Sequence, residues 1–158
     1  MRAILWCVFL GACGLDRPAL EVLPGETVRL DEGVNGDVAC ERGTLHLPAG
    51  SVINGWLDGD HCVLKIEGTV NGSITVHGGI VHVFDVRSVN GPLDVSGAFD
   101  VHIASSNFNG DGRVTGNRAV VVVGTSFNGE LAIRNNGSCV AGNNSTNGGL
   151  LEASCVRP

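Results

Sequence analysis

The step Asn-Gly recurs at Asn35, Asn54, Asn71, Asn90, Asn109, Asn128 and Asn147, at intervals of 19, 17, 19, 19, 19 and 19 residues. Self-similarity at a nearly fixed period marks a chain that stacks one small unit on the next. The residues around each step recur as well. After Asn-Gly comes one variable residue and then an alternating apolar pair: Val38 and Cys40, Ile74 and Val76, Leu93 and Val95, Leu131 and Ile133. A Gly often follows two residues later, as at Gly78, Gly97 and Gly116. A second alternating run comes next, Phe99-Val101-Ile103 in one unit and Val120-Val122 in the following one. Each unit then closes on an apolar residue such as Val89, Phe108 or Phe127. An incomplete leading unit is visible at residues 27–33, which echo residues 44–50.

Asn-Gly between strands is also the strongest short-range hairpin signal, so an antiparallel meander is the competing architecture. Two features favour a solenoid. Ser105-Ser106-Asn107 and Gly124-Thr125-Ser126, just before two of the steps, read as turn rather than strand. A hairpin array also tolerates uneven loops, whereas a coil lying on its neighbour must keep its length; one corner can absorb the single 17-residue coil. The expected fold is therefore all-β, a single-stranded right-handed parallel β-helix of about seven 19-residue coils over residues 27–158. Right-handedness follows from the strong preference of parallel crossovers. Seven coils at the spacing of neighbouring strands give a rod of roughly 30–35 Å. Inward positions should stack as Val, Ile, Leu and Phe columns. The Gly after each Asn should supply a positive-φ corner, and Asn35, Asn54, Asn71, Asn90, Asn109, Asn128 and Asn147 should form a structural side-chain ladder along one edge.

The repeat resembles the right-handed parallel β-helix superfamily in general. Residues 33–38 (Gly33-Val34-Asn35-Gly36-Asp37-Val38) and 68–74 (Gly68-Thr69-Val70-Asn71-Gly72-Ser73-Ile74) are similar to the Gly-x-Val-x-Gly-x-Ile style of bactofilin coils. That resemblance would cover residues 27–156 and implies a polymer-forming cytoplasmic scaffold. An export signal and cysteines depart from the bactofilin pattern.

Arg2 precedes the apolar run Ala3-Ile4-Leu5-Trp6-Cys7-Val8-Phe9-Leu10, a basic start and short greasy core typical of an export signal. Such a run is too short to span a bilayer. Its end, Leu10-Gly11-Ala12-Cys13, resembles the lipobox of bacterial lipoproteins. The resemblance implies cleavage before Cys13, lipid on the Cys13 sulfur and an acylated new N-terminus, with several chains giving a stable anchor. The expected organisation is a lipoprotein signal peptide at 1–12, a lipid-anchored tether at 13–26 carrying Pro18, Pro24 and Gly25, and the β-helix at 27–158. The expected location is the cell envelope, facing the periplasm or the exterior.

Six cysteines are present. Cys7 would leave with the signal and Cys13 would carry lipid, leaving Cys40, Cys62, Cys139 and Cys155, an even set suited to an oxidising compartment. Cys40 and Cys62 fall in the first two coils and Cys139 and Cys155 in the last two. A disulfide needs Cα atoms about 4.4–6.8 Å apart, which excludes bonds between opposite ends of a rod. The pairs Cys40–Cys62 and Cys139–Cys155 remain, one at each end. End coils have a single neighbour and fray first, and their open strand edges invite self-association.

Composition narrows the partners. The net charge is −6, or −7 once residues 1–12 are removed, and Lys65 is the sole lysine. Nucleic-acid binding needs clustered Lys and Arg, so no nucleic-acid partner is expected, nor is electrostatic docking on anionic lipid. No nucleotide loop, nucleophile elbow or zinc-protease motif occurs in the sequence. The carboxylates Asp58, Asp60, Asp94 and Asp111 are scattered without an evident acid/base pair, so neither catalytic residues nor a cofactor are assigned. The outward positions Ala39, Asp58, Thr75, Asp94, Arg113 and Ala132 are too mixed for a regular threonine array. His46, His61 and His77 look isolated. His82, Asp100 and His102 should share the outer face of adjacent coils and are the candidate for a transition-metal site. Asn-x-Ser/Thr triplets begin at Asn71, Asn136, Asn143 and Asn144 and carry no expectation behind a bacterial-type signal. The functional expectation is a structural or interaction protein of the envelope, with a glycan- or surface-ligand-binding module as the alternative and a carbohydrate-active enzyme third.

Overall fold

The computed structural model of the chain describes residues 17–148 and the backbone of Leu151–Cys155. The expected signal peptide at 1–12 and the lipidation residue Cys13 lie outside the described residues. What is described is all-β, and every strand pair in it is parallel: a right-handed parallel β-helix of about seven turns. The antiparallel meander is thereby excluded. Three sheets run along the rod. The first face comprises Leu20–Val22, Val38–Glu41, Leu57–Asp60, Ile74–His77, Leu93–Ser96, Gly112–Thr115, Leu131–Asn136 and Leu151–Cys155. The second comprises Thr27–Arg29, Thr44–Leu47, Val63–Ile66, Ile80–Phe84, Asp100–Ala104, Ala119–Val123 and Ser138–Gly142. The third is narrower, with Val52–Ile53 and Thr69–Val70 joined through bridges at Val89 to Asn107–Phe108, Ser126–Phe127 and Ser145–Thr146.

The solenoid begins earlier than Thr27. Leu20–Val22 pairs in register with Val38, Ala39 and Cys40, so the C-terminal part of the expected 13–26 tether is the leading strand of the first face. Val22 is fully buried there, which explains why this stretch is held against the rod.

Alternation within each strand builds the core. Val38, Leu57, Ile74, Leu93 and Leu131 form one buried column under the first face, and Leu45, Leu64, Val81, Val101 and Val120 form another under the second. Burying branched side chains on this scale supplies the dominant stabilising term. The column under the first face is interrupted at Gly112. Its missing side chain makes room for the Phe127 ring, which stacks on Phe108 at a centroid distance of 4.7 Å and an interplanar angle of 6°. Phe99 departs from the expected inward run and is 63% exposed. The bend between the first and second faces turns Ala98 inward and leaves Phe99 and Asp100 both outside.

The three corners work differently, and here the sequence expectation needs correction. Six of the seven Asn-Gly glycines (Gly55, Gly72, Gly91, Gly110, Gly129 and Gly148) do not adopt positive φ; Gly36 alone does. They are glycine because the backbones of successive coils touch at this corner: a Cβ on Gly91 would lie 2.7 Å from the carbonyl carbon of Gly72, and one on Gly110 2.7 Å from that of Gly91. Left-handed backbone belongs to the corner between the first and second faces, at Arg42, His61, Gly78, Gly97, Gly116 and Asn135, and to the next corner at Asp85, Ser105, Gly124 and Asn143. Gly91→Ala should therefore overpack backbone against backbone in the middle of the stack and cost about 1–3 kcal/mol. Chemical denaturation would measure it. A neutral Gly91→Ala would mean that the coils can part at this corner without loss.

The asparagines of the same corner form one continuous file. Each amide nitrogen donates to the side-chain oxygen of the Asn in the preceding coil, from Asn54 to Asn35 at 2.6 Å through to Asn147 to Asn128 at 2.7 Å. A second set of polar side chains lies inside the rod. Asn117 accepts from the Ala98 backbone N–H. Asn136, completely buried, accepts from the Asn117 backbone N–H and amide and donates to the Val114 carbonyl. Asn144 and Ser106 accept the Thr125 and Val86 N–H groups in the same way. These side chains satisfy backbone groups that the tight corners leave without a strand partner, as buried polar groups require.

Cys40 and Cys62 form a disulfide with a Cα–Cα distance of 6.2 Å, joining two successive coils from within. Cys139 is also disulfide-bonded. The Cys155 side chain, named above as its partner, lies outside the described residues.

Candidate functional site

Within the coils from Asn35 to Thr146, no connection between successive strands or bridges exceeds four residues. The outer surface is accordingly made of strand faces and tight corners. On the first face the outward side chains at the N-terminal end are acidic: Glu21, Glu41, Asp58 and Asp60 line one shallow depression. Farther along, Arg113, Arg134 and Glu130 line another.

The second face is different. Its central outward column reads Arg29, His46, Lys65, His82, His102, Val121, Val140 in strand register. Five consecutive rungs, spaced ~4.8 Å apart as neighbouring strands are, thus carry cationic or protonatable groups. Strand alternation makes this column face solvent, and register aligns residues 17 to 20 apart in the chain. Arg29 donates to Asp31 at 2.6 Å and to His46 Nδ1 at 2.7 Å. His46 Nε2 lies 3.0 Å from Glu67, which also receives Lys65 at 2.9 Å. These five side chains form one chain of contacts across three coils. A guanidinium can only donate and a carboxylate only accept, so His46 Nδ1 accepts from Arg29 while Nε2 donates to Glu67.

Glu67 is held below the usual glutamate range, first by the hydrogen bond from His46 and then by that from Lys65. A depressed carboxylate stabilises the fold above its unfolded-state pKa, and that contribution disappears as pH falls through the folded value. His46→Ala should move the Glu67 titration, followed by carboxyl carbon NMR, back up toward the ordinary range, and by more than Lys65→Met does. An unchanged Glu67 would show that the hydrogen bond carries no weight in solution.

His82 reaches Asp100 at 2.9 Å, while the His102 ring meets Phe84 edge-on at a centroid distance of 4.7 Å and lies 6.2 Å from the His82 ring. The structure thus brings His82, Asp100 and His102 to one patch, but as a hydrogen-bonded His–Asp pair beside an aromatic pair. Among the described residues no group of three His, Cys, Asp or Glu side chains is placed to hold a metal ion. The other histidines are not isolated: His46 belongs to the chain of contacts above, His61 contacts Asp60 and His77 contacts Ser96.

The 17-residue coil leaves its mark next to this column. The turn from the second to the third face is Glu67-Gly68 in that coil, against residues 48–51 in the coil before it. The shortened corner recedes and leaves a notch of about 390 Å³ lined by Ala49, Gly50, Glu67, Gly68, Thr69, Asp85 and Arg87. Register and corner length create both features, so single-residue motifs could not have found them. The nearest sequence signal is the odd 17-residue interval itself.

No family model matches the chain, and comparison with curated proteins and with solved structures found no match either.

Proposed function

We propose that the chain is an exported, lipid-anchored β-helical structural or interaction protein of the bacterial cell envelope, acting through its rigid faces rather than by turnover. The observation that carries this reading is an outer surface made of strand faces and tight corners. Within the described coils from Asn35 to Thr146, connections of at most four residues build no loop-walled groove, and strand register lines the side chains up from coil to coil. Such a surface is pre-organised, which lowers the ordering cost of binding. The Cys40–Cys62 disulfide supports an oxidising compartment, where such bonds persist. The Arg2 and Leu10-Gly11-Ala12-Cys13 pattern supports export and lipidation. Open strand edges at the ends of a solenoid also support self-association through the coil ends.

Binding of a glycan or other surface ligand is the second reading, and the rank of polar side chains on the second face favours it. The experiment is expression of the full chain in a bacterial host with a radiolabelled fatty acid, followed by membrane fractionation and intact-mass measurement. Label in the membrane fraction, absent in Cys13→Ser, is the expected result. An unlabelled, unprocessed protein in the cytosol would sink the envelope role.

A further inference from the structure

We infer that the second face is a proton-gated rail for a linear acidic polysaccharide. The inference rests on the surface-binding reading above and names the ligand class for it.

The argument starts from charge. Arg29, His46, Lys65, His82 and His102 occupy five successive rungs of one column, and the carboxylates that touch them are Asp31, Glu67 and Asp100. With the imidazoles neutral, two cations face three carboxylates. With all three protonated, five cations face the same three, and the sign of the face reverses from −1 to +2. Imidazole is the side chain that makes this change between about pH 5 and 8.

Geometry adds a second element to the gate. Arg29 donates to His46 Nδ1, so protonating that nitrogen sets N–H against N–H at 2.7 Å. The contact must break, which frees that Arg29 N–H for a ligand on the rail while Asp31 still holds the guanidinium. His46 gains charge between Arg29 on one side and Lys65 and Glu67 on the other. His82 does so beside Lys65, Asp100 and His102.

The occupant follows from what lines the column. A phosphate polymer needs a dense set of fixed Lys and Arg, and this column has two, interleaved with carboxylates. A uronic-acid chain is more dilute in charge. It offers a carboxylate for each cation, hydroxyls that donate to Asp31, Glu67 and Asp100, and sugar C–H faces that suit the Phe84 and His102 rings. One sugar ring also spans close to one rung of a parallel sheet, so a chain laid along the column keeps step with the strands beneath it. The N-terminal end of the first face is acidic, with Glu21, Glu41, Asp58 and Asp60 together, which disfavours an anionic chain there.

The test uses the full mature chain and immobilised polygalacturonate, with its methyl-esterified form, polyphosphate and anionic vesicles as comparisons, at about pH 5.5 and 8. Retention on polygalacturonate at the lower pH is expected, weaker by at least about tenfold at the higher one and abolished by salt. The triple variant His46→Gln, His82→Gln, His102→Gln should lose the pH dependence, with circular dichroism unchanged. Lys65→Met should weaken binding at the lower pH, while Arg113→Ala on the first face should not. Equal binding to the esterified polymer, pH-dependent binding retained by the triple variant, or stronger capture by polyphosphate or vesicles would each overturn the inference. If no polymer binds while cells still lipidate and localise the protein, the rail fails and the envelope reading stands. If the protein proves cytosolic yet binds, the reverse holds.

Discussion

Phe127→Ala should destabilise the fold by about 3–5 kcal/mol, the range for emptying a buried aromatic site. The ring is 1% exposed, stacks on Phe108 and fills the gap left by Gly112 in the first-face column. For a chain of this size each kcal/mol corresponds to about 2–4 °C in Tm. The partner substitution gives the argument its specificity. A Cβ on Gly112 would lie 2.5 Å from Phe127 Cε1 and 2.8 Å from Leu131 Cδ1, so Gly112→Ala alone should cost about 1–3 kcal/mol through overpacking. In the Phe127→Ala background the same methyl enters vacated space and should restore part of the loss. Calorimetry of the two single variants and the double variant closes the cycle. Strict additivity would show that Gly112 and Phe127 do not share this space.

The second large effect is expected from Cys40→Ala combined with Cys62→Ala. The bond closes a separation of 22 residues, worth about 3 kcal/mol on the chain-entropy model. The loss should not be spread evenly. Repeat arrays are stabilised by nearest neighbours and their end coils have only one, so unstapling coils one and two should release the N-terminal end first. Hydrogen exchange resolves this: the amides of Leu20–Val22, Thr27–Arg29 and Val38–Glu41 should lose protection, while those of Asp100–Ala104 and Ala119–Val123 keep theirs. Equal loss along the whole rod would mean that the solenoid unfolds as one unit and that the bond is not an end staple.

The ladder and the rail were not equally legible. The ladder asparagines announce themselves through their spacing, because every rung uses the same residue type. The rail does not, because Arg29, His46, Lys65, His82 and His102 share neither residue type nor a single interval. The buried Asn117 and Asn136 were hidden for a related reason. Asn136 also precedes a glycine, Gly137, but lies out of step with the seven ladder positions and points inward, where it closes backbone groups of the coil before it.

The sequence alone determined the period, the number of coils and, for most strand positions, which side chains face in. Those properties are local: alternation is a two-residue property of extended backbone, and a fixed repeat length follows from stacking like on like. Tertiary structure decided what depends on contact between coils. It showed that the Asn-Gly glycines serve close backbone approach rather than left-handed φ, that Leu20–Val22 belongs to the rod and that Phe99 faces solvent. It also linked His46 to Arg29 and Glu67 and opened a notch beside the shortened corner. Each of these rests on register, which is set by how much chain each corner takes up before the next strand begins. Strand patterning constrains which way a side chain points, whereas corner length selects the neighbour it meets.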